Sequence, residues 1–175
     1  PAGSVTLQGG QSADQGGHVS ILAGSSPEHG GSLALTAGDA LGAEAARAGA
    51  VSISAGVSEQ GRGGDAILES GSSTQGSSGD VILRSGAGYE KSGSVAISTG
   101  AAEGPSGPLS MLPGNSADTG GSVQLWSGAG GSRGGKVSIQ AGSAVTGEGG
   151  NVAVLSGTSE ASASGSSMLA SADVA

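Results

Sequence analysis

A marker glycine, preceded by another glycine or a small residue, returns along this chain every 14 or 15 residues with one exception. The markers are Gly3, Gly17, Gly31, Gly49, Gly64, Gly79, Gly93, Gly107, Gly121, Gly135, Gly150 and Gly165. Only the interval from Gly31 to Gly49 is longer, at 18 residues. Seven residues after each marker stands a second, closing glycine, from Gly10 through Gly157, replaced only in the last copy by Ala172. Twelve copies in one register define a repeat architecture, because each short unit must bury its apolar face against a neighbour.

Inside each copy the residues alternate. Two after the marker come Val5, Val19, Leu33, Val51, Ala66, Val81, Val95, Leu109, Val123, Val137, Val152 and Ser167. Four after it come Leu7, Ile21, Leu35, Ile53, Leu68, Leu83, Ile97, Met111, Leu125, Ile139, Val154 and Leu169. Their neighbours are mostly small or polar. Period-two patterning with branched residues, bounded by glycines, predicts a half-buried strand. Position six is usually Ala or Ser, as in Ala23, Ala37, Ser70 and Ala141, which suits a corner where backbone approaches backbone.

One strand every 14–15 residues leads to a definite expectation of fold. Strands rise about 3.3 Å per residue and lie about 4.8 Å apart, so one copy goes out, turns and returns one spacing higher. The expected architecture is all-β: a two-sided parallel β-solenoid of about 12 coils, with a thin Val/Leu/Ile core. Such an array would be roughly 55 Å long. A polyglycine bundle would need glycine at every third position, which this chain lacks. Residues 1–175 read as a single array. Its irregularities are an insertion at 39–47, where Ala and Glu favour a short helical turn, a proline-rich coil at 105–113, and a degenerate last coil at 164–175.

Composition narrows the function classes. Of 175 residues 38 are Gly, with no Cys, no Phe, one Trp and one Tyr, so no thick aromatic core is available. Net charge is −8 with only 6 Lys+Arg, which disfavours nucleic acid and anionic membrane as partners. No apolar run of about 18 residues spans a bilayer. No signal peptide is visible and Pro1 falls inside the repeat pattern, so the chain reads as a mature product or an excerpt.

Catalysis needs a nucleophile, a tuned base and an orienting group. Only His18 and His29 are available as imidazole bases. Gly130–Gly134 matches the nucleophile-elbow pattern G-x-S-x-G, but the elbow requires a strand-to-helix turn and no helical pattern follows. The expectation is a protein that is not an enzyme. Acids fall at the corners: Asp14, Glu28, Glu90 and Asp118 lie eleven after the marker, and Glu59, Glu103 and Glu160 lie ten after it. Asp65 and Asp80 share one strand position on adjacent coils. Asp65, Asp80, Asp14 and Glu28 are therefore the candidate ligands for a hard cation such as calcium, which wants several oxygens. Solubilising charge against lateral aggregation accounts for the same residues without a metal, and no other cofactor is expected.

Contacts with partners suggest themselves at apolar outward positions. Ile67 and Ile82 fall on adjacent coils, as do Leu112 and Trp126, and these four are the interface candidates. A second rod, another chain segment or a sugar ring on Trp126 would cover them, while isolated surface hydrophobes are also ordinary and need no partner. Glu69 and Arg84 occupy equivalent positions and read as an exposed pair worth about 0.2–1 kcal/mol. Threonines are unranked, since Thr6 and Thr36 do not line up, and this argues against an ice-binding face.

The phrase G-G-x-V-x-L-x-x-G-x-S, carried by Gly16–Ser26 and Gly120–Gly130, resembles repeats in large secreted or surface proteins of algae and other unicellular eukaryotes. More loosely it is similar to the stalks of bacterial adhesins. The resemblance implies an extracellular, structural role, with copies assembling end to end through open solenoid ends. No N-x-S/T sequon exists at Asn115 or Asn151, so any glycan would be O-linked. The expected function is a component of a fibre, surface appendage or adhesive stalk. The alternative is a binding module presenting one flat face to ice, mineral or polysaccharide.

Overall fold

The computed structural model describes residues 3–42 and 46–171. Among them there is no helix and no β-strand, so the expected solenoid is not formed. The physical reason lies in where the main-chain hydrogen bonds go. A ladder needs successive bonds along two neighbouring runs. Here the backbone bonds fall at one point per copy: the marker N–H donates to the closing carbonyl of the copy before it. Between bends the apolar runs are coil without a ladder.

The chain divides into two units, Pro1–Gly93 and Ser94–Ala175. In the first, the bonds run from Gly17 to Gly10, Gly31 to Gly24, Gly49 to Gly38, Gly64 to Gly56 and Gly79 to Gly71, at 2.7–2.9 Å. In the second they run from Gly121 to Gly114, Gly135 to Gly128, Gly150 to Gly142 and Gly165 to Gly157, at 2.8–3.1 Å. The stretch read as the return strand is thus a loop closed at its neck by a glycine clip. Among the described residues the necks Gly86/Gly93 and Gly100/Gly107 carry no such bond, and the boundary between units falls between them. The longest clip, Gly121 to Gly114 at 3.1 Å, adjoins Pro113, where a Cβ built on Gly121 would meet the proline Cβ at 2.8 Å.

The neck explains the small residue at position six. A Cβ built on Gly31 would lie 3.4 Å from the Ala23 Cβ and 3.2 Å from the Gly24 nitrogen. Gly135 stands likewise 3.1 Å from the Ser127 Cβ and 3.2 Å from the Gly128 nitrogen. A larger residue at position six crowds the approach, and Pro113, which stands there, adjoins the longest clip. Gly9, Ala37 and Ala141, all at that position, are the most shielded of the described residues.

Each loop also bends at one place, ten to twelve residues after its marker, and the sequence makes that bend in distinct ways. In six copies a serine nine after the marker accepts a backbone N–H across the bend. Where the copy is 14 residues long the donor is two residues on: Asp14 to Ser12 Oγ, Glu28 to Ser26 Oγ and Asp118 to Ser116 Oγ, at 3.1–3.4 Å. Where it is 15 long the donor is three on: Gly61 to Ser58 Oγ, Gly76 to Ser73 Oγ and Ser162 to Ser159 Oγ, at 2.8–2.9 Å. These are serine-capped turns, in which the hydroxyl stands in for a backbone carbonyl. Loop length selects the turn, and the extra residue gives the shorter bond. Two copies place glycine there instead; a Cβ on Gly88 would run into the Lys91 carbonyl oxygen, and one on Gly130 into that of Arg133. A third device is Gly147, whose φ of 121° belongs to glycine.

A Val/Leu/Ile core was the second expectation, and it too is overturned. No described hydrophobic side chain is buried. The alternation survives only as a gradient: Val81 is 49% exposed and Val123 53%, against 82% for Trp126 at an outward position. The chain exposes 17690 Å². A folded monomer of 16.0 kDa would expose about 7,400 Å² and a fully unfolded chain about 23,000 Å². Burial of apolar area is the main driving force of folding, and one copy of this chain on its own captures little of it.

The insertion at 39–47 has residues 43–45 outside the described range, and its described remainder contains no helix. In the last copy, read from the sequence as degenerate, Ala172 likewise lies outside the described residues.

Candidate functional site

The bends gather the acids, as their spacing required, but they do not gather them with each other. Asp14 and Glu28 each donate a backbone N–H to the serine two residues before, so their positions are set by the turn. Both are exposed. Asp65 lies beside its neck and is held by a cation of the chain itself: Arg62 Nη2 donates to Asp65 Oδ1 at 2.7 Å and to Oδ2 at 3.0 Å. Both oxygens of this carboxylate thus accept from the guanidinium. Asp80, at the equivalent position, is preceded by Ser77 where Arg62 stands in the copy before, and it has no ion pair among the described residues. No three His, Cys, Asp or Glu side chains converge among the described residues, so Asp65, Asp80, Asp14 and Glu28 do not form one site. Asp65 and Asp80 face each other across no ladder, since none is present.

The pair expected between Glu69 and Arg84 is likewise not formed; the ion pair found among the described residues is Arg62–Asp65. Its reach is three residues along the chain and not one coil across. The elbow-like stretch Gly130–Gly134 is a bend in which Gly130 lets the Arg133 carbonyl approach, and Ser132 follows no strand. His18 and His29 are exposed, and neither is hydrogen-bonded to an acid among the described residues.

All four interface candidates present their side chains to solvent, with Ile82 73% and Leu112 83% exposed. An open apolar pocket, which sequence reasoning missed, lies in the second unit. It is lined by Val154, Ser167, Met168 and Leu169. Val154 and Leu169 are the fourth residues of consecutive copies, and Ser167 is the lapse in the valine row. The pocket was legible in principle from that lapse, because a Ser where Val is usual leaves room beside its neighbours. No described helix is long and apolar enough to cross a membrane.

The chemistry on offer is therefore that of surfaces. Apolar side chains recur in register on runs whose main-chain groups, the marker N–H aside, have no backbone hydrogen-bond partner among the described residues, and the charges are placed mainly on the loops between them. No family model matches the sequence, and comparison with curated proteins and with solved structures finds no match to either.

Proposed function

We propose that this chain is a non-catalytic structural repeat protein that works as an assembly of copies, as a component of an extracellular fibre, surface appendage or adhesive stalk. The observation that carries this reading is the absence of any buried hydrophobic side chain among the described residues of a chain whose apolar residues are in strict register. A flexible linker has no reason to keep Val and Leu in phase over eleven copies. A protein that completes its core between chains does, because a periodic surface matches a periodic surface at many points together. Eleven of the fourteen acids lie outside the stretches from each marker to its closing glycine, so the runs are nearly neutral while the loops keep the chain soluble. The extracellular setting rests on the resemblance of the G-G-x-V-x-L-x-x-G-x-S phrase to surface-protein repeats.

Sedimentation velocity over a wide range of concentration, with negative-stain imaging of the same samples, tests the reading. Growth of large or filamentous species with concentration is expected. A single monomeric species up to millimolar concentration would overturn it.

A further inference from the structure

One run differs from the others in a way that selects its partner. Residues 79–85 read Gly-Asp-Val-Ile-Leu-Arg-Ser. Among the twelve copies, only this one has opposite charges at the first and fifth positions after the marker, Asp80 and Arg84. Among the described residues neither is in an ion pair, and no backbone hydrogen bond engages residues 80–84. The three side chains between them, Val81, Ile82 and Leu83, are 49%, 73% and 65% exposed.

Resting on the assembly reading above, we propose that residues 79–85 pair antiparallel with the same residues of a second copy, about a two-fold axis at Ile82. In that register Asp80 faces the second copy's Arg84, Val81 faces its Leu83, and Ile82 faces its Ile82. The remaining pairs repeat these by symmetry, as an isologous contact requires. Alternation puts Asp80, Ile82 and Arg84 on one face and Val81 and Leu83 on the other. One face is then an isoleucine pair flanked by two ion pairs, and the other is wholly apolar. Backbone with unused donors and acceptors, high β-propensity and zero net charge is the combination that adds strands between chains.

The preceding copy shows why the choice falls here. Residues 64–70 read Gly-Asp-Ala-Ile-Leu-Glu-Ser, with the same Ile-Leu pair and Ala66 in the place of Val81. In the same antiparallel register Asp65 would face Glu69 of the second copy, and like charges directly opposite destabilise a strand pair. Asp65 is moreover already held by Arg62. The two runs thus differ in Ala66 against Val81 and in the sign of one charge, Glu69 against Arg84, and that charge decides which of them accepts its own copy. The contact closes on itself, so it joins chains in twos; larger objects need a further contact elsewhere.

The test uses the full chain and sedimentation velocity on Asp80→Arg, on Arg84→Asp, on their equimolar mixture and on the double exchange. Each single variant places like charges opposite one another and should weaken pairing at least about tenfold. The mixture restores both ion pairs between unlike chains and should recover most of the wild-type affinity, as should the double exchange. Single variants as tight as wild type, or a mixture as weak as its components, overturn the proposal. The chain has no cysteine of its own, so Ile82→Cys should cross-link under mild oxidant while Ile67→Cys should not; equal cross-linking overturns the register. Wild-type assembly untouched by all four charge combinations would sink this pairing and leave the assembly reading standing. A wild-type chain that stays monomeric would sink both.

Discussion

The connecting loops and the apolar runs of this chain follow opposite rules. A loop of seven to eleven residues is closed by its own glycines, bent by its own serine and charged by its own acids. Everything that shapes it lies between a closing glycine and the next marker. A run of seven residues has none of this: no backbone bond is made within it, its apolar residues stay half exposed, and its pattern only makes sense beside another run. Local interactions are therefore enough to write the loops, whereas the runs require a surface that a single copy does not supply. The loops act as spacers of fixed size that hold the runs in phase.

The comparison breaks most readily at the loops with glycine at the bend. Gly130→Ala drives a Cβ into the Arg133 carbonyl oxygen, while Gly131 next to it has nothing within 4 Å of such a Cβ. The first substitution should destabilise its loop by about 1–3 kcal/mol, as overpacking against backbone does. The second should cost no more than a few tenths. Amide exchange at Gly135, whose N–H closes that loop onto Gly128, reads the difference. Equal protection in both variants would mean that the close approach at Gly130 does not shape the loop.

Serine-bent loops should respond less, and in two classes. Ser58→Ala, Ser73→Ala and Ser159→Ala remove bonds of 2.8–2.9 Å, each worth about 0.5–1.5 kcal/mol. Ser12→Ala, Ser26→Ala and Ser116→Ala remove longer bonds of 3.1–3.4 Å and should cost visibly less. Loop length itself is testable. Deleting Gly61 turns a 15-residue copy into a 14-residue one and should move the protected amide to Gln60, two residues after Ser58. Persistence of protection three residues after Ser58 would show that length does not select the turn.

What could be read from the sequence divides along the same line. The small residue at position six was legible because its cause is local: Ala23 and Gly31 must touch at one neck. The alternation was legible as well, and it survives as a gradient of exposure from Val81 to Trp126. The ladder was not legible. It required that the backbone of one run meet that of the next, and neither the Val row nor the Leu/Ile row specifies such a meeting within one chain. Ser58 and Ser12 look alike in sequence, yet their bonds differ because one copy is a residue longer. The acidic row shows the same limit of spacing along a chain. Equal spacing along the chain puts Asp14 and Glu28 at equivalent bends, but equivalence does not bring them together.

The smallest effect belongs to the Arg62–Asp65 pair, which straddles the Gly64 neck. Both side chains are well exposed, at 83% and 59%, and such pairs contribute about 0.2–1 kcal/mol. Arg62→Ala should therefore lower amide protection at Gly64 by no more than about fivefold, the lower part of that range being the expectation for so exposed a pair. Because one nitrogen, Nη2, serves both carboxylate oxygens, a lysine ammonium can do the same, and Arg62→Lys should retain most of the protection. Salt at 1 M shortens the screening length to about 3 Å and should bring wild type down to the alanine variant. The neck at Gly79, with Ser77 in place of the arginine, should be indifferent to salt. If salt left Gly64 unchanged while Arg62→Lys lost protection, the guanidinium would be acting through its shape and not its charge, and the loops would owe less to electrostatics than their acids suggest.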